Sequence, residues 1–263
     1  MECLSTIKNL EINKNKKIGE VVILVEGESE EFKLLKHIFT KILNYNYHAI
    51  RRNKIMHDKF VSKSNNNSTV IIANTTSSNI KSIMEDDNYK DKLYELLKKE
   101  YNKNLKNVPI YILWDRDYDS NDSNVVKKSL ETFGSSLDNE YDMNGLLLLS
   151  YPCIESFELS NFDKKLWKKR FKTSDEVKRE MNSIVPNIHS INKQTLLLAI
   201  ENLNRTLKMY GINSYDPSYF KDINMKVYNS EESEYVKNKV CNALSLIGIM
   251  LIDLGIINEK EKN

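Results

Sequence analysis

Carboxylates gather in this chain wherever a short apolar run gives out. The stretch "VVILVEGESEEF", residues 21–32, runs five apolar residues into Glu26, with Glu28, Glu30 and Glu31 just beyond. "PIYILWDRDYDS", residues 109–120, ends on Asp115, Asp117 and Asp119, and "LLLLSYPCIESFEL", residues 146–159, carries Glu155 and Glu158. Carboxylates brought together repel one another and are driven to protonate unless a cation compensates. Hard oxygen donors suit Mg²⁺ or Mn²⁺, which share their shell between a few carboxylates, water and phosphate. A cation held there stabilises a phosphoryl oxygen and activates water, which makes phosphodiester hydrolysis the expected chemistry.

The acids do not all carry equal weight. Glu28 and Glu31 suit the first turn of a helix, where the dipole favours negative charge. Glu26 ends an apolar strand, so that explanation does not reach it, and Gly27 is the small residue that lets the chain turn from strand to helix. In an extended segment residues two apart point the same way, so Asp115 and Asp117 are expected to present both carboxylates to one point. "DRDYDS" by itself would equally suit a solvated turn. A calcium loop needs a glycine after Asp119, which is absent, and a phosphate loop needs a GK[ST] triplet, also absent.

These acids must be positioned by secondary structure. Four apolar runs, at 21–26, 69–74, 109–115 and 145–152, are too short for helices and lack alternation. They read as strands buried on both faces, the signature of a parallel sheet covered by helices. Phe32, Leu35, Ile38, Phe39 and Ile42 follow the first run at helical spacing, and "DKLYELLKKEY", residues 91–101, is a second candidate helix. In open sheets of this kind ligands bind beyond the carboxyl ends of the strands, where the acids fall. "RRNKIMHDKFVSKSNNNS", residues 51–68, reads as a surface loop. Beyond residue 160 strand-like runs cease, and "KQTLLLAIENLNRTLKMYG" (193–211) and "EYVKNKVCNALSLIGIMLIDLG" (234–255) read as helices with glycine near their ends. The expected organisation is α/β: a catalytic domain over 1–160 and a helical region over 161–263.

Composition narrows the class. The 263 residues carry 39 basic and 37 acidic side chains, so charge effects must be local. Cys3, Cys153 and Cys241 have no CxxC spacing, which fits neither a disulfide framework nor a zinc ribbon and favours a reducing cytoplasm. The N-terminus lacks the apolar segment and cleavage site of a secretion signal. The apolar run at 240–257 is interrupted by Asn242 and Asp253, so a packing helix is expected and no membrane span. "KKLWKKRFK", residues 164–172, fits either a phosphate-tracking strip or an amphipathic helix with Trp167 and Phe171 turned inward, and the second is favoured. His37, His48, His57 and His189 lack metal-binding spacing, Cys153 lacks a local histidine, and Arg51 and Arg52 stand where they could meet a phosphate.

In combination, "VEGESE" after one strand and "WDRDYD" after a later one resemble the Toprim domain of topoisomerases, bacterial primases, overcoming-lysogenization-defect nucleases and small RNA maturases. "SYPCIESFELSNF" is similar to the corresponding segment of RloB-like proteins, stand-alone Toprim proteins of restriction and abortive-infection loci, although "FELSNF" departs from that subfamily's usual continuation. The resemblance spans roughly residues 20–162. It implies a Toprim-like parallel sheet, with Glu26 as metal ligand or general acid/base, Asp115 and Asp117 as the D-x-D ligands, and Glu30 and Glu155 as further acids at a Mg²⁺ or Mn²⁺ site. It also implies a cytoplasmic, metal-dependent endonuclease acting on DNA or RNA in anti-phage defence. Its alternatives are a tRNA-cleaving or RNA-processing ribonuclease and an effector subunit held by a partner ATPase or defence complex. A homo-oligomer is compatible with either.

Overall fold

The structure, a computed structural model, describes residues 10–27, 29–52, 55–64, 67–74, 95, 98, 108–137, 145–213 and 219–260. Glu28, Cys3 and nearly all of the candidate helix at 91–101 lie outside the described residues. In chain order the elements are β1 (Leu10–Ile12), β2 (Glu20–Val25), α1 (Glu30–His37) with a π-helical continuation over Ile38–Ile42, β3 (Tyr45–Arg52), β4 (Ile55–Ser62) and β5 (Thr69–Asn74). After these come β6 (Ile110–Asp115), α2 (Ser123–Thr132), β7 (Leu146–Tyr151), α3 (Glu155–Ser160), β8 (Arg170–Phe171), α4 (Ser174–Ile184) and α5 (Lys193–Met209). The chain closes with α6 (Phe220–Asn238), β9 (Cys241–Asn242), β10 (Leu244–Ser245), α7 (Ile247–Asp253) and β11 (Ile257–Glu259).

The fold is α/β. Seven strands form one mixed sheet in the order β10-β7-β6-β2-β5-β4-β3, and the four apolar runs of the sequence make its parallel centre, β7, β6, β2 and β5. Every residue from Val21 to Val25 and from Leu146 to Tyr151 is buried, because helices cover both faces. Phe32, Leu35, Ile38, Phe39 and Ile42 are buried on the face of α1 and its continuation, as their spacing requires.

Several expectations need correction. The segment 51–68, read as a loop, contains strand β4, which forms a hairpin with β3 and pairs with β5. An edge hairpin buries only one face, so half of its residues stay polar. Tyr45 and Phe60 pack on Phe39 while Asn46 and His48 face water, and the Asn and Lys content hides that alternation. The side chains of Arg51 and Arg52 lie outside the described residues.

The segment 234–255 is likewise not one helix. Helix α6 stops at Asn238, Lys239 takes a left-handed φ of 57°, and the next residues form β9 and β10 before α7 begins. Strand β10 adds antiparallel to the edge of β7, and Leu246 N–H donates to Leu149 O at 3.0 Å. A run apolar on all sides satisfies a buried strand as well as a helix, so periodicity alone misreads it. "KKLWKKRFK" is a short 3₁₀ turn, Leu166–Lys168, followed by β8, which pairs with β9; Trp167 there lies against Lys168 and Arg205. The region beyond 160 therefore supplies helices and strands; one apolar cluster runs from Leu10 to Ile257, and a second gathers Cys153, Leu159, Leu166, Phe171, Val177 and Ala243. Among the described residues no helix is long and apolar enough to cross a membrane.

Candidate active site at the carboxyl edge of the sheet

Strand β2 lies between β5, reached next in the sheet on one side, and β6 on the other. The chain therefore reverses its direction of sheet growth between β2 and β6, and the crevice beyond their carboxyl ends is a topological switch point. Glu26 follows β2 directly and Asp115 is the last residue of β6. The two are tied: Asp115 N–H donates to Glu26 Oε2 at 3.1 Å, which leaves Oε1 of Glu26 as its free oxygen.

Asp117 reaches the crevice by a different route from the one its spacing suggests. The strand ends at Asp115, so alternation no longer applies, and Asp117 adopts a left-handed φ of 31°, a conformation that Asp tolerates better than most residues. Its N–H donates to Pro152 O at 3.0 Å, and its carbonyl accepts from Ser120 and Asn121 N–H, so the turn is fastened to the end of β7. Between the two aspartates, Arg116 points away into the protein. It is 2% exposed, forms a bidentate pair with Glu232 of α6 at 2.6 and 3.0 Å, and donates to Asn121 O at 2.8 Å. Asn121 Nδ2 in turn donates to Asp115 O at 3.2 Å. The ring of Tyr118 stacks on Tyr235 of α6 at 3.8 Å. The acidic turn is thus gripped from behind by the C-terminal region.

Glu155 opens α3 just past β7 and is mostly buried, with Lys178 of α4 3.7 Å from Oε1. Glu30 and Glu31 part company. Glu30 is half exposed, bonded to Lys33 Nζ at 2.6 Å and to Ser29 Oγ, and the lysine holds its carboxyl below the usual range. Glu31 is 8% exposed and turned back over Gly27, where any Cβ would collide with Glu31 Oε2. A side chain at Gly27 would therefore have to displace the Glu31 carboxylate packed against it.

The electrostatics confirm which acids face one another. Burial, joined by the charges of Glu31 and Asp117, pushes Glu26 up to about 7 against the bond from Asp115 N–H. Burial and then Glu26, Glu31 and Glu155 push Asp115 well above the carboxylate range, with Lys178 opposing them. Burial raises Glu31 too, and Glu155 and Glu30 add to it. Behind Glu155, burial and Glu155 itself push Glu158 up to about 7. Cys153 is buried, and its thiol is driven upward by burial and the neighbouring acids, the opposite of an activated nucleophile.

The structure thus brings together Glu26, Asp115, Asp117 and Glu155 and leaves Glu30 at the rim. Sequence reasoning assigned Glu31 only to a helix start. It does stand in the first turn of α1, and the signal for its second role was its place on one helical face with Leu34, Leu35 and Ile38. Lys178 and the Arg116–Glu232 pair carried no such signal. Among the described residues no three carboxylate, imidazole or thiolate groups form a preassembled cation site. No family model matches this chain, and no curated protein matches it at a significant level.

Proposed function

We propose that this chain is a metal-dependent endonuclease of the Toprim type, hydrolysing phosphodiester bonds of DNA or RNA at the crevice between β2 and β6. The observation that carries the reading is the Glu26–Asp115 contact, two acids at the ends of adjacent parallel strands locked together at a switch point and raised in pKa by burial and then by neighbouring carboxylates. The donor set fits Mg²⁺ or Mn²⁺. Such ions need only a few protein carboxylates and fill their shell with water and phosphate oxygens, so a preassembled cage of three ligands is not required. Asp115 and Asp117 would hold the cation, with Glu26 and Glu155 beside them. When bound, it would neutralise phosphoryl charge and activate water.

The chain's own groups do the rest. Glu26 is fixed through Oε2, so Oε1 is the atom that takes or releases a proton. Lys178 offsets part of the negative charge from the Glu155 side. Arg116 and Asn121 hold the Asp115–Asp117 turn in one geometry before substrate arrives. The setting in anti-phage defence rests on the resemblance to stand-alone Toprim proteins. Asp115→Ala should reduce Mg²⁺- or Mn²⁺-dependent cleavage by at least about 100-fold, the scale of losing one group at a charge-stabilising site. Purified protein assayed on plasmid DNA and on tRNA reads both the activity and its substrate, and unchanged cleavage of either by the variant would overturn the assignment.

A further inference from the structure

A second charged site lies at the far end of α1, roughly 15 Å along the helix from the acids at the usual rise per residue. Here a cleft of about 580 Å³ is lined by His37, Lys41, His189, Asn192 and Lys193, with Ile42 and Ile191 as apolar wall. Its cations come from separate parts of the chain: Lys41 from the π-helical turn, Lys193 from the first turn of α5, and Lys14, beside the cleft, from the turn after β1. Lys14 stands near Lys193, and desolvation together with the neighbouring lysine holds Lys14 below the usual lysine value. Two neighbouring ammonium groups repel, and no carboxylate of the described residues forms an ion pair with Lys14, Lys41 or Lys193. An anion between them would relieve that repulsion.

The rest of the cleft is built around these charges. His37, 7% exposed, donates Nε2–H to Ile191 O at 2.7 Å and so straps the turn before α5 to the end of α1. His189 meets His37 edge-on at 5.5 Å between ring centres and stays exposed at the rim, free to donate to a ligand. Helix α5, 17 residues long, directs the positive end of its dipole here, with Asn192 capping it.

We propose that this cleft is a phosphate-binding site, with Lys14, Lys41, Lys193 and His189 as its donors, and that it grips a backbone phosphate of the nucleic acid whose scissile bond lies at the acidic end of α1. Lysine point charges and an imidazole donor match a multi-oxygen anion, and the volume leaves room for the attached sugar against Ile42 and Ile191. The backbone as source rests on the nuclease reading, whereas the anion site does not.

The test uses the full chain in EDTA, so that no cleavage is read. Inorganic phosphate and pyrophosphate are titrated at constant ionic strength while the histidine ring signals are followed by NMR. The His189 signal should shift in a saturable way, and the exposed double variant Lys41→Ala/Lys193→Ala should weaken binding about tenfold or more. A fluorescent oligonucleotide should lose affinity in the same variant, with the slope of log affinity against log salt shallower by roughly 0.7 to 0.9, the value for one phosphate contact. If phosphate binding falls but the oligonucleotide is unaffected, the source is a small phosphate compound. Rings that do not respond to either anion at tens of millimolar, as an order of magnitude, overturn the site.

Discussion

If the acidic turn is held from behind by Arg116, then Arg116→Met should unfasten it without touching any candidate ligand. Arg116 is 2% exposed and Glu232 14%, so the pair is sheltered though not sealed. Breaking a buried pair by removing one partner costs about 3 to 5 kcal/mol, because the other charge is left uncompensated. The partial exposure of Glu232 places this case at the lower end, about 3 kcal/mol, including the lost bond to Asn121 O. For a chain of this size that corresponds to a melting temperature lower by about 6 to 12 °C. Glu232→Met, which leaves Arg116 buried without its carboxylate, should likewise cost about 3 kcal/mol. Replacing both residues with methionine should cost less than the sum of the single changes, since an apolar pair of similar volume leaves no orphaned charge. Urea unfolding of the four proteins gives the coupling energy directly. Because Asn121 Nδ2 supports Asp115 O, loosening of the turn in Arg116→Met should lower cleavage at saturating Mg²⁺ about tenfold although neither aspartate is substituted. A loss of stability below about 0.5 kcal/mol, or a cycle with no coupling, would refute the clamp.

Two further outcomes follow from packing and charge elsewhere. Burial pushes Glu231 from its ordinary 4.5 to about 7, even though Tyr210, Asn242 and Arg170 favour its carboxylate. The native protein therefore holds this proton more tightly than the unfolded chain, so the contribution is complete below pH 4.5 and is lost as pH rises to about 7. That loss amounts to roughly 3 kcal/mol, and Glu231→Gln should flatten the fall in stability between about pH 5 and pH 7 by this amount, measured by urea unfolding at each pH. An unchanged slope in the variant would rule out the raised pKa. At Gly248 of α7 a Cβ would come 2.7 Å from Ile200 Cδ1 and from Leu203 Cδ2 of α5. Gly248→Ala should therefore destabilise by about 1 to 2 kcal/mol despite the better helix propensity of alanine, read as a lower denaturant midpoint.

Much of the centre of the molecule was legible in the amino-acid order. The runs 21–26, 69–74, 109–115 and 145–152 became β2, β5, β6 and β7 because strands buried on both faces must be apolar throughout, a pattern that needs no neighbour to identify it. For the same reason Glu26 and Asp115 stood out, since a carboxylate closing such a run cannot belong to the core. The edges were not legible. Strand β4 hides its one buried face among lysines and asparagines, and the segment after Lys239 is apolar enough to satisfy helix or strand, so the choice fell to the unpaired edge of β7. The site was decided in the same way. Sequence spacing gave Asp115 and Asp117 a common direction, but a left-handed turn brings Asp117 in, and Pro152, Asn121 and the distant Glu232 make that turn. Glu30 and Glu31 differ by one position, and only the packing over Gly27 sends one to solvent and the other inward. Sequence by itself determined which segments must be buried and where their acids begin, because burial is written in residue type. Which acids meet, and that Lys178 stands beside Glu155, only the tertiary structure decided, because those contacts join residues that nothing in the local chain connects.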